Sequence, residues 1–196
     1  PGLTVVEIMD AITAGTIKGM YILGENPAMS DPDLTHARAA LAALEHLVVQ
    51  DLFVTETAQF ADVILPAAAW SEKSGTVTNT NRQVQMGRAA LSPPGEARPD
   101  WWIIQEMARR FGLDWDYHGP EQVFAEMKQG MHSLDHISWS RLEREGSVTY
   151  PCSADDAPGQ DVVFSDAFPR AGAGADFRRP GHCRRTSRWM KPIPSC

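Results

Sequence analysis

Val5, Ile8, Met9 and Ile12 recur at helical spacing and give way to Gly15, so the pattern predicts a helix over "TVVEIMDAITAG" with a glycine stop. The next apolar run, "IKGMYILG", is short, partly β-branched and closed by Gly24, as a buried strand would be. "DPDLTHARAALAAL" predicts a second helix with Asp33 as N-cap, and "HLVVQD" a second strand. "LFVTETAQFA" reads as a connector of one to three helical turns, and "DVILPA" as a third strand ended by Pro66. Strand–helix–strand–helix–strand within about fifty residues is a βαβαβ pattern, which favours a parallel sheet. Strands this uniformly apolar suit a sheet covered on both faces.

Beyond Pro66 the texture changes. "SEKSGTVTNTNRQVQMG" is polar, β-branched and Asn-rich, hence loop or hairpin. "RPDWWIIQEMARRFG" predicts a helix with Asp100 as N-cap and Gly112 as stop. "GPEQVFAEMKQGM" and "SLDHISWSRLEREG" predict two more, with Pro120 in a first turn and Ser133 as a cap. The fold class is therefore α/β, a Rossmann-like short parallel sheet with flanking helices. The expected divisions are 1–115 for the Rossmann-like region, 116–150 for a helical extension, 151–169 for the start of a linker and 170–196 for a tail.

Composition narrows the class without naming it. The chain has 196 residues, 43% hydrophobic and 22% charged, as soluble globular proteins have. No apolar run approaches the roughly 18–20 residues of a membrane span, and the N-terminal stretch has no basic leader or cleavage site. Cys152, Cys183 and Cys196 are few, scattered and odd in number, which suits a reducing, cytoplasmic compartment better than a disulfide framework. The net charge of −7 is uneven: residues 170–196 hold seven bases and one acid, leaving −13 on residues 1–169. A body so acidic argues against a nucleic-acid partner. The basic tail has no apolar period and reads as disordered or foreign sequence.

The candidate chemistry lies at the strand ends. In open parallel sheets, ligands collect outside the carboxyl ends of the strands. Gly24 sits at such an end, where a missing Cβ lets a phosphate or sugar approach the backbone. Pro27 holds Asn26 extended and its amide free for a ligand, while Ser30 and the next helix start add donors. The competing reading is that Asn26-Pro27 only makes a tight turn. Gln50-Asp51 ends the second strand, so Asp51 can take ribose hydroxyls or a guanine edge, or be a solvated loop acid. His132 and His136 have i, i+4 spacing without a third metal ligand, and Cys152 lacks a His or CxxC partner. A binding crevice is legible; a catalytic centre is not.

Several stretches in order carry a more specific likeness. "IKGMYILGENPAMSDPD", "VVQDLFVTETAQFADVILPAAAWSEKSGTVTNTNRQVQ", "PDWWIIQEMARRFG" and "GSVTYPC" resemble the molybdopterin oxidoreductase family, and within it the catalytic alpha subunits of formate dehydrogenases. The resemblance runs over roughly residues 1–168. It implies a domain binding one of two molybdopterin guanine dinucleotides (bis-MGD) that carry molybdenum or tungsten. Gly24, Glu25, Asn26 and Ser30 match the first dinucleotide loop, Gln50, Asp51 and Thr55 the second, and Asp100 an acid at the guanine end.

The same resemblance implies an iron–sulfur cluster elsewhere in the parent, with further domains and iron–sulfur or electron-acceptor subunits as partners. The family's molybdenum-ligating Cys or selenocysteine, its catalytic His–Arg pair and its closing β-rich domain have no match here. The chain thus reads as an internal piece, expected to be inert with formate by itself. Two alternatives remain: a non-catalytic relative such as the large iron–sulfur subunit of respiratory complex I, and a separate nucleotide-binding regulator.

Overall fold

The computed structural model describes residues 2–163, so the tail expected to be disordered lies outside the described residues. Helix α1 (Val5–Thr13) opens on a capping box: the Thr4 hydroxyl accepts from Glu7 N–H while Glu7 Oε2 accepts from Thr4 N–H at 2.7 Å. Strand β1 (Gly19–Leu23) leads into a single helical turn, α2 (Pro27–Ser30), which sequence periodicity cannot reveal at four residues. Helix α3 (Leu34–Ala43) is capped as expected by Asp33, which accepts from His36 N–H at 3.1 Å. Strand β2 (His46–Asp51) follows, then a 3₁₀ turn at Ala58–Phe60 and β3 (Val63–Pro66).

These three strands form a parallel sheet in the order β1-β2-β3, with Ile22 opposite Val49 and Val49 opposite Ile64. Alternation along each strand puts Ile22, Leu47 and Val49 on one face. There they pack with Ala28, Leu41 and Ala58, and full burial of each large side chain contributes about 1.5–3 kcal/mol. Met9, Ile12, Ala37 and Ala40 form the adjoining layer, where the alanines let α1 approach α3. The other face carries Tyr21, Leu23, Val48, Gln50 and Val63. Gln50 is fully buried there, yet Leu23 and Val63 remain 43% and 40% exposed. The expectation of a sheet covered on both faces is therefore met on one face only.

The polar stretch after β3 is the hairpin expected, with β4 (Gly75–Thr78) antiparallel to β5 (Gln83–Gly87). Its third strand was not legible: β6 (Ser147–Thr149) pairs with β5 across more than sixty residues of chain. Helices α4 (Asp100–Arg110), α5 (Pro120–Gly130) and α6 (Trp139–Glu145) complete the described elements. Val84, Phe124, Leu134, Ile137, Leu142, Val148 and Cys152 make the core that joins this sheet to α5 and α6. All of it belongs to one compact unit, Pro1–Gln160.

Two expected caps are corrected. Pro99, not Asp100, occupies the N-cap of α4; Asp100 is the first helical residue, and its carboxylate bonds to side chains remote in sequence. The helix expected from Ser133 is divided into a 3₁₀ turn, His132–Leu134, and α6, capped by Ser138. His136 lies between them with φ of 67°, so His132 and His136 do not share a helical face. His132 faces Asp135 and His136 faces Asp155 instead. Among the described residues no cluster of three His, Cys, Asp or Glu could hold a metal, and no helix is long and apolar enough to cross a membrane.

Candidate functional site

The parallel register brings the carboxyl ends of β1 and β2 level, and Gly24 N–H extends the ladder by donating to Gln50 C=O at 2.9 Å. Gly24 then turns with φ of 62°, a conformation that disfavours other residues, and the space above its Cα is open. Glu25 and Ser30 stand exposed beside it, joined by a 2.7 Å bond from Ser30 Oγ to Glu25 Oε1. Asp51 is half-buried; its Oδ1 accepts from Leu52 N–H at 2.6 Å, and Oδ2 has no protein partner among the described residues. Thr55 accepts from Ala58 N–H at 3.2 Å, which places it in the turn rather than the crevice wall.

Asn26 is employed differently from the expectation of a free amide. Its Oδ1 accepts both Thr57 Oγ1–H at 2.7 Å and Thr57 N–H at 3.1 Å, and its Nδ2 donates to Glu56 Oε2 at 2.7 Å. The buried Thr57 hydroxyl in turn accepts from Ala28 N–H at 3.0 Å. One amide hydrogen of Asn26 is left over. The side chain thus clasps the loop after β1 to the loop after β2. That hydrogen bond from Asn26, first among its causes, holds the Glu56 carboxyl below the ordinary range.

On the other face, a second network assembles residues that sequence reasoning had kept apart or missed. Tyr21 O–H donates to Gln50 Oε1, Gln50 Nε2 donates to Asp100 Oδ1 at 2.7 Å, and Lys73 Nζ donates to Asp100 Oδ2. Burial, and then the charge of Asp100, raises the Tyr21 phenol above its usual range, so it remains a donor through neutral pH. With Tyr21 filling the carbonyl oxygen, Gln50 can only present its NH₂ to Asp100. Tyr21, Thr57 and Lys73 were not singled out in the sequence. Only Tyr21 carried a signal, as the single aromatic residue in an otherwise aliphatic strand.

A model of the family described as molybdopterin oxidoreductase matches residues 1–110, more than half the chain. The chain belongs to that family. All eight residues expected at the dinucleotide loops fall within the matched stretch. Among its relatives is the F420-dependent formate dehydrogenase subunit alpha of Methanocaldococcus jannaschii, 44% identical over 85% of this chain and 25% of the relative. The assimilatory nitrate reductase catalytic subunit of Bacillus subtilis is 38% identical over 85% of the chain and 24% of its own length. This chain therefore spans about a quarter of the curated relatives it matches. The solved acetylene hydratase of Pelobacter acetylenicus shares the fold with a TM-score of 0.62 over 74% of this chain and 20% of its own, at 22% identity.

Proposed function

We propose that this chain is a piece of a formate dehydrogenase alpha subunit and binds the guanine-dinucleotide part of its molybdopterin cofactor. The observation that carries the reading is the level meeting of two loops at the carboxyl edge of the sheet. One contributes an open left-handed glycine, Gly24, and the other a carboxylate, Asp51, with an oxygen to spare. Such an edge suits a nucleotide: backbone at Gly24 admits a phosphate, Ser30 offers a hydroxyl, and Asp51 accepts from ribose hydroxyls. Gln50 and Asp100 extend the polar surface to the other face. When bound, the metal–pterin supplies the redox chemistry that converts formate to carbon dioxide; this chain's residues hold and orient it.

In this reading residues 1–115 are the dinucleotide region, 116–150 its helical extension and 151–169 the approach to a further domain. The parent would pass electrons to an iron–sulfur or acceptor subunit, in the cytoplasm. The saturation of Asn26 by Thr57 and Glu56 favours a second reading, in which the strand tips only lock a structural module of the kind found in a non-catalytic relative.

Asp51→Ala in the full-length parent separates the two. Removing the acceptor of a buried hydrogen bond costs roughly 1–3 kcal/mol, so cofactor retention should fall about tenfold or more. Pterin and metal content per protein measure it, with circular dichroism as the folding control. Wild-type contents in Asp51→Ala would leave the structural reading in place.

A further inference from the structure

We propose that Lys73 and Asp100 together form the base-reading edge of the site, with Lys73 selecting guanine against adenine. This rests on the nucleotide reading above and adds to it a residue and a specificity. Both side chains line a cavity of about 430 Å³, within the size range of small-molecule sites. The remaining walls suit a flat ring: Trp70, which is 72% exposed, and Trp101, Val123 and Met127. Lys73 and Asp100 are the charged groups of that lining, and they stand paired with 28% and 29% of their side chains exposed.

The hydrogen-bond inventory fixes what the pair can still bind. Each carboxylate oxygen of Asp100 already accepts one bond, from Gln50 and from Lys73 respectively, which leaves each with acceptor capacity. Lys73 spends one of its three N–H donors on Asp100. The open edge therefore reads acceptor, acceptor, donor. Guanine presents the complement: N1–H and the 2-amino group donate, and O6 accepts. Adenine presents an unprotonated N1 to the carboxylate and a 6-amino donor to the ammonium, so both contacts fail. Tyr21 and Gln50 act behind the edge, holding Asp100 in place without reaching the ring.

The test is a calorimetric titration of the folded 196-residue chain with GDP, IDP and ADP. GDP should bind most tightly. IDP, lacking the 2-amino group, should bind several-fold more weakly, and ADP about tenfold or more weakly, the size of an unmatched buried hydrogen bond. Lys73→Met should bring GDP and ADP to within a few-fold of each other. Lys73→Arg, which keeps donor and charge, should restore the preference, and Lys73→Gln, uncharged but still a donor, should give an intermediate one. Lys73→Gln also serves if Lys73→Met does not fold. If GDP binds and its preference over ADP survives both Lys73→Met and Lys73→Gln, the role of Lys73 is wrong while the nucleotide site stands. If the folded wild-type chain binds none of the three, the nucleotide reading falls with it.

Discussion

Asn26 shows how one side chain can look like a ligand contact and act as a fastener. Its carbonyl oxygen is the acceptor for both polar groups of the buried Thr57. Asn26→Ala should therefore destabilise the domain by about 1–3 kcal/mol in denaturant unfolding, the range for a buried donor left unsatisfied. Asn26→Asp keeps that acceptor but sets a carboxylate against Glu56, so its loss should be smaller and should shrink in acid. The wild-type clasp has its own pH dependence. Because Asn26 holds the Glu56 carboxyl below its ordinary range, its contribution is present above the unfolded value and is lost as pH falls through the lower folded one. Hydrogen exchange at the Thr57 amide reads this directly. Protection should decline in acid below the ordinary glutamate range, and Glu56→Gln should abolish that decline.

The elements were legible where a local pattern dictates them and obscure where a partner far along the chain does. β2 was read with its observed bounds because six apolar-to-polar residues end on turn chemistry, and α3 because Asp33 caps it. β6 has three residues and exists through its pairing with β5, which no local signal announces. Asp100 looked like a cap because an acid before an apolar period usually is one; its actual partners, Gln50 and Lys73, are fifty and twenty-seven residues away. The start of α6 did carry a missed signal: Ile137 and Leu142, flanking the Ser138 cap at staple positions, are both fully buried.

Beyond α6, the segment Cys152–Gln160 is held by contacts rather than by periodicity. Buried Arg141 donates to Ala157 C=O at 2.8 Å and His136 C=O at 3.2 Å, and pairs with Glu145. A Cβ on Gly159 would lie 1.8 Å from Thr149 O. Gly159→Ala should thus force the segment away, costing about 1–3 kcal/mol as overpacking does, and Arg141→Leu should strand two carbonyls at a similar cost. Both variants should increase thiol labelling at Cys152, buried beneath the segment, as read by peptide mass spectrometry. Unchanged labelling in both would mean that the segment does not cover it.

Taken as a whole, the chain buries one face of its parallel sheet under α1, α2 and α3 and leaves apolar groups of the other open. Leu23 and Val63 are the clearest, with Ile64 beside Val63 on β3. Both outer strands of the sheet, β1 and β3, are edges among the described residues, and apolar edges pair readily with other chains. A chain that spans about a quarter of its relatives would meet the remaining protein over such surfaces in the parent. Without that cover, the isolated chain should self-associate and bind a hydrophobic dye. Leu23→Lys combined with Val63→Lys should suppress both, because each charge sits on a partly exposed face where it remains hydrated and blocks strand addition. In the full-length parent the same pair should do harm, since a charge pressed into an apolar contact must be desolvated. Sedimentation velocity of the chain and thermal unfolding of the parent give the two readouts. A wild-type chain that stays monomeric at high micromolar concentration without dye binding would show that this face needs no partner.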